Sequence, residues 1–238
     1  MRWKRPAIDA IGGTDWMNRL YLADKERGMS HVRQSSGKRG PALWALVFLP
    51  VLFWSAWEPA DRITWTLEVL PAIVGALVLL LTRRRFPLTA LLYGLILLHC
   101  IILMVGGHYT YARVPLFDLL REMFDWQRNN YDKVGHLAQG FVPAMIAREL
   151  LIRLNVIPSA AWRNFLIVCF CLAFSAFYEL IEWWVALISG EGAEAFLGTQ
   201  GYVWDTQSDM AWALAGAILA LALLSRLHDR QLLSLESL

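Results

Sequence analysis

Three short stretches of the chain place acids, a base and cations at helical spacing. The first, YDKVGH from Tyr131, holds Asp132, Lys133 and His136, with Gln139 one turn further; the second holds Glu179 and Glu182; the third, DTQSD, holds Asp205 and Asp209. Residues three or four apart share one side of a helix. Asp132, His136, Gln139 and Pro143 therefore form one stripe, Ser175, Glu179 and Glu182 a second, and Asp209, Trp212 and Gly216 a third. Carboxylates with one imidazole suit a first-row divalent metal, or zinc with few ligands, better than a thiolate site. The same groups serve equally as general acid and base. Asp132, Glu179, Glu182, Asp205 and Asp209 cannot all stay ionised in a poorly solvated pocket with only Lys133 and His136 to offset them. Either some keep their protons or a cation enters. Each residue alone also has a plain reading: Asp132, Asp205 and Asp209 are good helix caps, and neither Glu-x-x-Glu nor Asp-x-x-x-His is a diagnostic ligand string. Only their convergence singles them out.

The elements that must position these groups are membrane helices. Of 238 residues, 57% are hydrophobic, 18% are charged and 12 are Trp, which excludes a disordered chain and argues against a soluble domain. A spanning helix needs about 20 mostly apolar residues, and six segments meet or approach that: 42–57, 63–81, 88–105, 134–152, 164–184 and 210–227. The first is short. The fourth is the most polar, carrying His136, Gln139, Arg148 and Glu149. The expected fold is an all-α polytopic bundle of about six transmembrane helices.

Basic residues set its direction, because Lys and Arg stay on the cytoplasmic side. With the N-terminus inside, 17 of the 22 basic residues fall in cytoplasmic segments. Both termini are then cytoplasmic, and the three polar stretches all reach the outer side. Trp183 and Trp184 mark the outer interface, placing Glu182 at that boundary and Glu179 one turn below it, level with His136. The reading divides the chain into a cytoplasmic segment at 1–41 ending in a flexible basic linker, a membrane domain at 42–227 and a cytoplasmic tail at 228–238. No cleavable leader is expected, and Met29 is a possible second start, so residues 1–28 are expected to be dispensable.

Between the third and fourth spans, 115–127 reads as an amphipathic helix, either on the outer membrane surface or packed over the mouth of the bundle. The glycine-rich stretch 190–201 reads as a lid. His99 and His108 read as ordinary span and interface residues, and Arg148 with Glu149 as an ion pair at the cytoplasmic end. The three cysteines, all within apolar runs, offer neither a disulfide framework nor a zinc knuckle. Small residues Ala213, Gly216 and Ala220 allow close helix approach. No phosphate loop, Gly-x-Ser-x-Gly elbow or His-Glu-x-x-His helix is present, and a net charge of +2 gives no ground for nucleic-acid binding.

At YDKVGHLAQGFVPA from Tyr131, SAFYELIEWW from Ser175 and GYVWDTQSDMAWALAGA from Gly201, the chain resembles the YjdF-like family of bacterial inner-membrane proteins, a family defined by a domain of unknown function. The likeness runs over about 41–227. More distantly, Asp-Lys-x-x-His followed by a late-helix Glu and a helix-opening Asp is similar to the VanZ-like membrane proteins linked to glycopeptide resistance, from which Glu182 departs by standing where that pattern has Gln. The resemblance implies a multi-pass protein of the bacterial inner membrane with these site positions. It implies no reaction.

Three functions fit this reading. One is a membrane enzyme or binding protein, open to the periplasm and acting on a lipid or lipid-linked substrate. His136, Glu179, Glu182 and Asp209 would hold a divalent metal ion or supply acid and base, and Lys133, Asp132, Gln139 and Asp205 would bind substrate. Another is a cation- or proton-coupled transporter. In the third, the polar cluster only locks helix packing. The residues leave open whether the protein is an enzyme. The expected partners are membrane lipids.

Overall fold

A carboxylate at the head of one helix and a hydroxyl at the head of the next start two of the long apolar runs. Asp61 accepts from the Thr64 amide at 2.7 Å and caps one helix; Thr89 accepts from the Leu92 amide at 3.4 Å and caps the next. The structure, a computed structural model, describes residues 39–189, 194–197 and 199–236. Among them are eight helices: α1 Arg39–Ala56, α2 Arg62–Thr82, α3 Ala90–Tyr109, α4 Pro115–Met123, α5 Tyr131–Arg153, α6 Ala160–Ser189, α7 Glu194–Leu197 and α8 Asp205–Glu236. The N-terminal segment to residue 38, with most of its basic linker, lies outside the described residues.

Four stretches are long and apolar enough to cross a membrane: Arg62–Thr82, Ala90–Tyr109, Ala160–Ile188 and Asp205–Leu235. Helix α1 is apolar but shorter. Helix α5 has the length, at 23 residues, but its polar side chains keep it out of that set. Those side chains point inward: Lys133, His136, Gln139, Arg148 and Glu149 are all buried, while Leu77, Leu80, Phe170 and Leu223 on α2, α6 and α8 are open to the outside. That inversion, polar in and apolar out, is the pattern of a helical bundle in lipid.

Helix α5 is the axis of the unit Pro41–Leu238 and packs most extensively against α8. At the crossing, a Cβ on Gly140 would collide with the Ala213 carbonyl, and one on Gly216 with the Leu137 carbonyl. Only glycine allows the two backbones to touch there. Helix α6 packs on both α5 and α8; α2 packs mainly on α3, which carries it against α5.

Helix α8 continues unbroken through residue 227, so the expected tail is helical as far as Glu236, with His228 buried and Asp229 paired to Arg148 at 2.7 Å. Arg148 and Glu149 do not pair with each other. Being adjacent on α5, they point to different neighbours, Glu149 bonding Arg153, His228 and Thr89. Helix α4 ends at Met123, four residues short of the expected 127, just before the left-handed Asp125. None of its residues is buried; Leu116, Leu119 and Met123 face outward while Phe117 meets Tyr131 edge-on at 5.3 Å. An open apolar side fits the membrane-surface reading of this helix better than the packed one.

Candidate functional site

The first turn of α5 and the first turn of α8 face each other across the close-packed crossing. Lys133 Nζ lies 2.6 Å from Asp209 Oδ1, 3.0 Å from Asp205 Oδ1 and 3.5 Å from Asp132 Oδ2. A second cation joins them, Arg128, which bonds Asp205 and reaches Asp132 Oδ2 at 3.2 Å. Asp132 and Asp205 are thus more than helix caps, each being held by two cations.

Arg128 is aimed by the loop before α5. The neighbouring Asn129 is fully buried, donating from Nδ2 to the Val114 carbonyl at 3.0 Å and to Asp118 at 3.1 Å. Its own amide donates to Gln200 Oε1, and Gln200 Nε2 donates back to its carbonyl at 2.9 Å. This reciprocal pair holds Gln200 at φ 49, a conformation unfavourable for a side-chain-bearing residue. The segment before α8 is thereby stitched to the segment before α5.

His136 sits one turn below. Its Nδ1 meets Gln139 Oε1 at 3.0 Å, and an amide oxygen only accepts, so Nδ1 carries a proton. Its Nε2 then faces carboxylate oxygens, Asp132 at 3.3 Å and Asp209 at 3.8 Å. A bare nitrogen lone pair against carboxylates is repulsive; that nitrogen needs a proton or a metal ion.

Helix α6 supplies Glu179 and Glu182 from the opposite side. Two sets of side chains bring one ligand atom each within 4.8 Å of one another: Asp132, His136 and Asp209, and His136, Glu179 and Glu182. They differ in what already occupies them. Asp132 and Asp209 are bound by Lys133, and Asp132 also by Arg128, whereas among the described residues Glu179 Oε1 is buried with no hydrogen-bond partner, as is Ser175 Oγ on the same stripe. Glu182 forms no ion pair or hydrogen bond among the described residues. Glu179 is not bare, since its side chain bonds Thr206 and lies beside His136, but among the described residues the second set holds no Lys or Arg partner and could hold a cation.

A cavity of about 80 Å³ adjoins it, with Glu68, Tyr111, Asp132, His136, Tyr178 and Glu182 among its lining residues. Glu68 comes from α2 and accepts from the Tyr178 hydroxyl at 3.1 Å. Of the described part of the expected lid, Phe196 and Leu197 of α7 line the cavity; residues 190–193 and 198 lie outside the described residues.

The structure thus brings together all eight site residues expected from the sequence and adds Glu68 and Arg128. Glu68 had a signal, being an ionisable residue inside an apolar span. Arg128 had none beyond its position four residues before Asp132. His99 also lines the cavity, while His108 donates from Nδ1 to the Ser55 carbonyl at 3.0 Å and meets the Trp54 ring at 4.6 Å in a tilted contact, as an interface residue would.

Residues 40–230 match the family described as predicted membrane protein DUF2238. The chain is 52% identical over 188 residues to the inner membrane protein YjdF of Escherichia coli strain K12, covering 79% of this chain and 90% of that one. No solved structure matches. The match runs through every element of the site, and the chain belongs to the DUF2238 family as a multi-pass protein of the inner membrane.

Proposed function

We propose that the protein is a divalent-cation-dependent membrane protein, an enzyme or a binder, whose pocket opens to the periplasm and takes a lipid or lipid-linked substrate. The observation that carries this reading is the pairing of a three-ligand set, His136, Glu179 and Glu182, with a buried Glu179 oxygen that has no hydrogen-bond partner among the described residues. A metal ion there would act as a Lewis acid and would offset the excess of carboxylates over Lys133, Arg128 and His136. Asp209, held by Lys133, would then serve as acid or base rather than as a first choice of ligand, and Lys133, Asp132, Gln139 and Asp205 would shape the substrate side.

A one-sided site is favoured over a transport route by what lies below it. Between Gln139 and Arg148 the interior is apolar, with Val142, Met145, Ile167, Cys171, Ala217 and Ala220 buried. A transported cation would meet no ligand there.

The test is melting of the purified protein with and without Mn²⁺ or Zn²⁺. Metal should raise the melting temperature of the wild type, and Glu182→Gln and His136→Ala should each abolish most of that rise. An unchanged rise in both variants would remove the metal from this pocket.

A further inference from the structure

The stripe of α5 that carries the site does not end with it. Below Asp132, His136 and Gln139 the same side continues as Pro143, Ile146, Ala147 and Leu150, and these four line a second hollow of about 190 Å³ with Phe170 and Phe174 of α6. On α6 the residues four apart run Glu182, Tyr178, Phe174, Phe170. Phe174 lines both hollows. The seam between α5 and α6 therefore carries two hollows that share Phe174 as a wall, acidic and aromatic above, wholly apolar below. The α5–α8 face offers no such room, because the two helices meet backbone to backbone at Gly140 and Gly216.

We propose that the α5–α6 seam binds one long hydrocarbon chain of a membrane lipid, with the lipid's head group in the pocket above Phe174. The lining is purely apolar, and Phe170, Phe174 and Leu150 are partly open toward the lipid side, so a chain can enter sideways from the bilayer. Length sets the ligand class. From His136 to Leu150 is about 21 Å at about 1.5 Å per residue, against about 15 Å for half of a ~30 Å hydrocarbon layer. A chain as long as one leaflet is deep passes Phe174 and fills much of the lower hollow; a short one stops above it. The proposal rests on the pocket reading only for what the head group meets.

Single-chain lysophosphatidylglycerol makes a suitable probe. In short-chain detergent, the palmitoyl form should raise the melting temperature of the wild type and the octanoyl form should not. Ala147→Trp, which fills the lower hollow, should lose the palmitoyl response and keep the response to Mn²⁺. Leu80→Trp, on the open face of α2, should keep both. A full palmitoyl response in Ala147→Trp, or equal responses to the two chain lengths, overturns the groove; absence of the Mn²⁺ response in the wild type overturns the metal reading and leaves the groove standing. For the wild type alone, a palmitoyl probe with a diazirine at the chain end should label Ile146, Leu150 or Phe170. Label spread over the outer face of α2 counts against the seam.

Discussion

Two polar clusters lie at opposite ends of α5, and they are built on different arithmetic. At the C-terminal end, Glu149 Oε1 takes the Thr89 amide and Arg153, and Oε2 takes the Thr89 hydroxyl and His228 Nε2. Arg148 donates to His228 Nδ1 at 2.9 Å, which makes that nitrogen an acceptor and leaves the proton on Nε2, where it reaches Glu149. The histidine is neutral with a fixed tautomer, and two acids, Glu149 and Asp229, are matched by two guanidinium groups, Arg148 and Arg153. At the N-terminal end, six carboxylates, counting Glu68, meet at most three cations, and one buried carboxylate oxygen has no partner. A balanced cluster with its acceptors filled acts as a lock between helices; under the proposed function, the unbalanced one with an open acceptor is the place a ligand would complete.

The largest effect is expected where the lock is opened. Glu149→Ala leaves Arg153, His228 and the Thr89 amide without their acceptor in a buried setting, and breaking one partner of a buried pair costs about 3–5 kcal/mol. The variant should melt far below the wild type or fail to accumulate. Its metal response, where it folds, should be intact, since the lock and the site lie at opposite ends of α5. A loss of metal response at unchanged melting temperature would reverse the two assignments.

Next is the crossing between the clusters. Gly140→Ala gains about 1 kcal/mol of helix propensity but drives a Cβ into the Ala213 carbonyl. Backbone cannot rotate away as a side chain can, so overpacking of about 1–3 kcal/mol should win. Helices α5 and α8 would separate, and both the melting temperature and the Lys133–Asp209 contact should suffer. Metal affinity should fall only if the strain also moves His136 on α5 away from Glu179 and Glu182 on α6.

Much of this was legible in the residues. Long apolar runs mark the spans because lipid demands them, and the polar stripes of α5, α6 and α8 appear because helical spacing fixes which residues share a side. Glu68 is legible in principle as a lone acid within the apolar run of α2, but nothing in the sequence ties it to the other three stretches, because its partner Tyr178 lies 110 residues away. Arg128 was not legible. Its position depends on the Asn129–Gln200 pair, two loop residues 71 apart whose meeting no local spacing encodes. The lock was half legible: Arg148 and Glu149 stood out as charges near a span end, but adjacency in sequence suggested pairing, whereas helix geometry turns neighbours about 100° apart and hands each to a different helix.

A carboxylate outside both clusters calibrates them. Asp61 caps α2 in a mostly solvated setting, and the Thr64 amide and hydroxyl hold its carboxyl below the ordinary value of 3.8. A folded-state value below the unfolded one means that its contribution is present above the ordinary carboxylate range and is lost as the pH falls through it. Asp61→Ala should cost about 1 kcal/mol at neutral pH, and the gap from wild type should close in acid. The loss at Glu149 should exceed this several-fold. Comparable losses at the two positions would mean that the lock is worth no more than a cap.

The smallest change in stability, and the sharpest contrast with Glu149, is expected at Glu179. Glu179→Gln keeps the shape of the side chain and removes one of the crowded negative charges. Two effects oppose each other: any metal bound in the pocket loses a ligand, but without metal the remaining carboxylates repel each other less. Since Glu179 Oε1 has no hydrogen bond to lose among the described residues and an amide oxygen can keep the bond to Thr206, relief of repulsion should at least offset the lost attraction to His136 in the metal-free protein, which should melt near the wild-type temperature. With Mn²⁺ present the two should part, the wild type rising and the variant staying put. Glu149→Gln, the same chemical change at the other end of the helix, should instead destabilise the protein equally with and without metal, because there an amide replaces a carboxylate that four donors share. Should the two substitutions cost the same in the absence of metal, the unbalanced cluster would be a second lock.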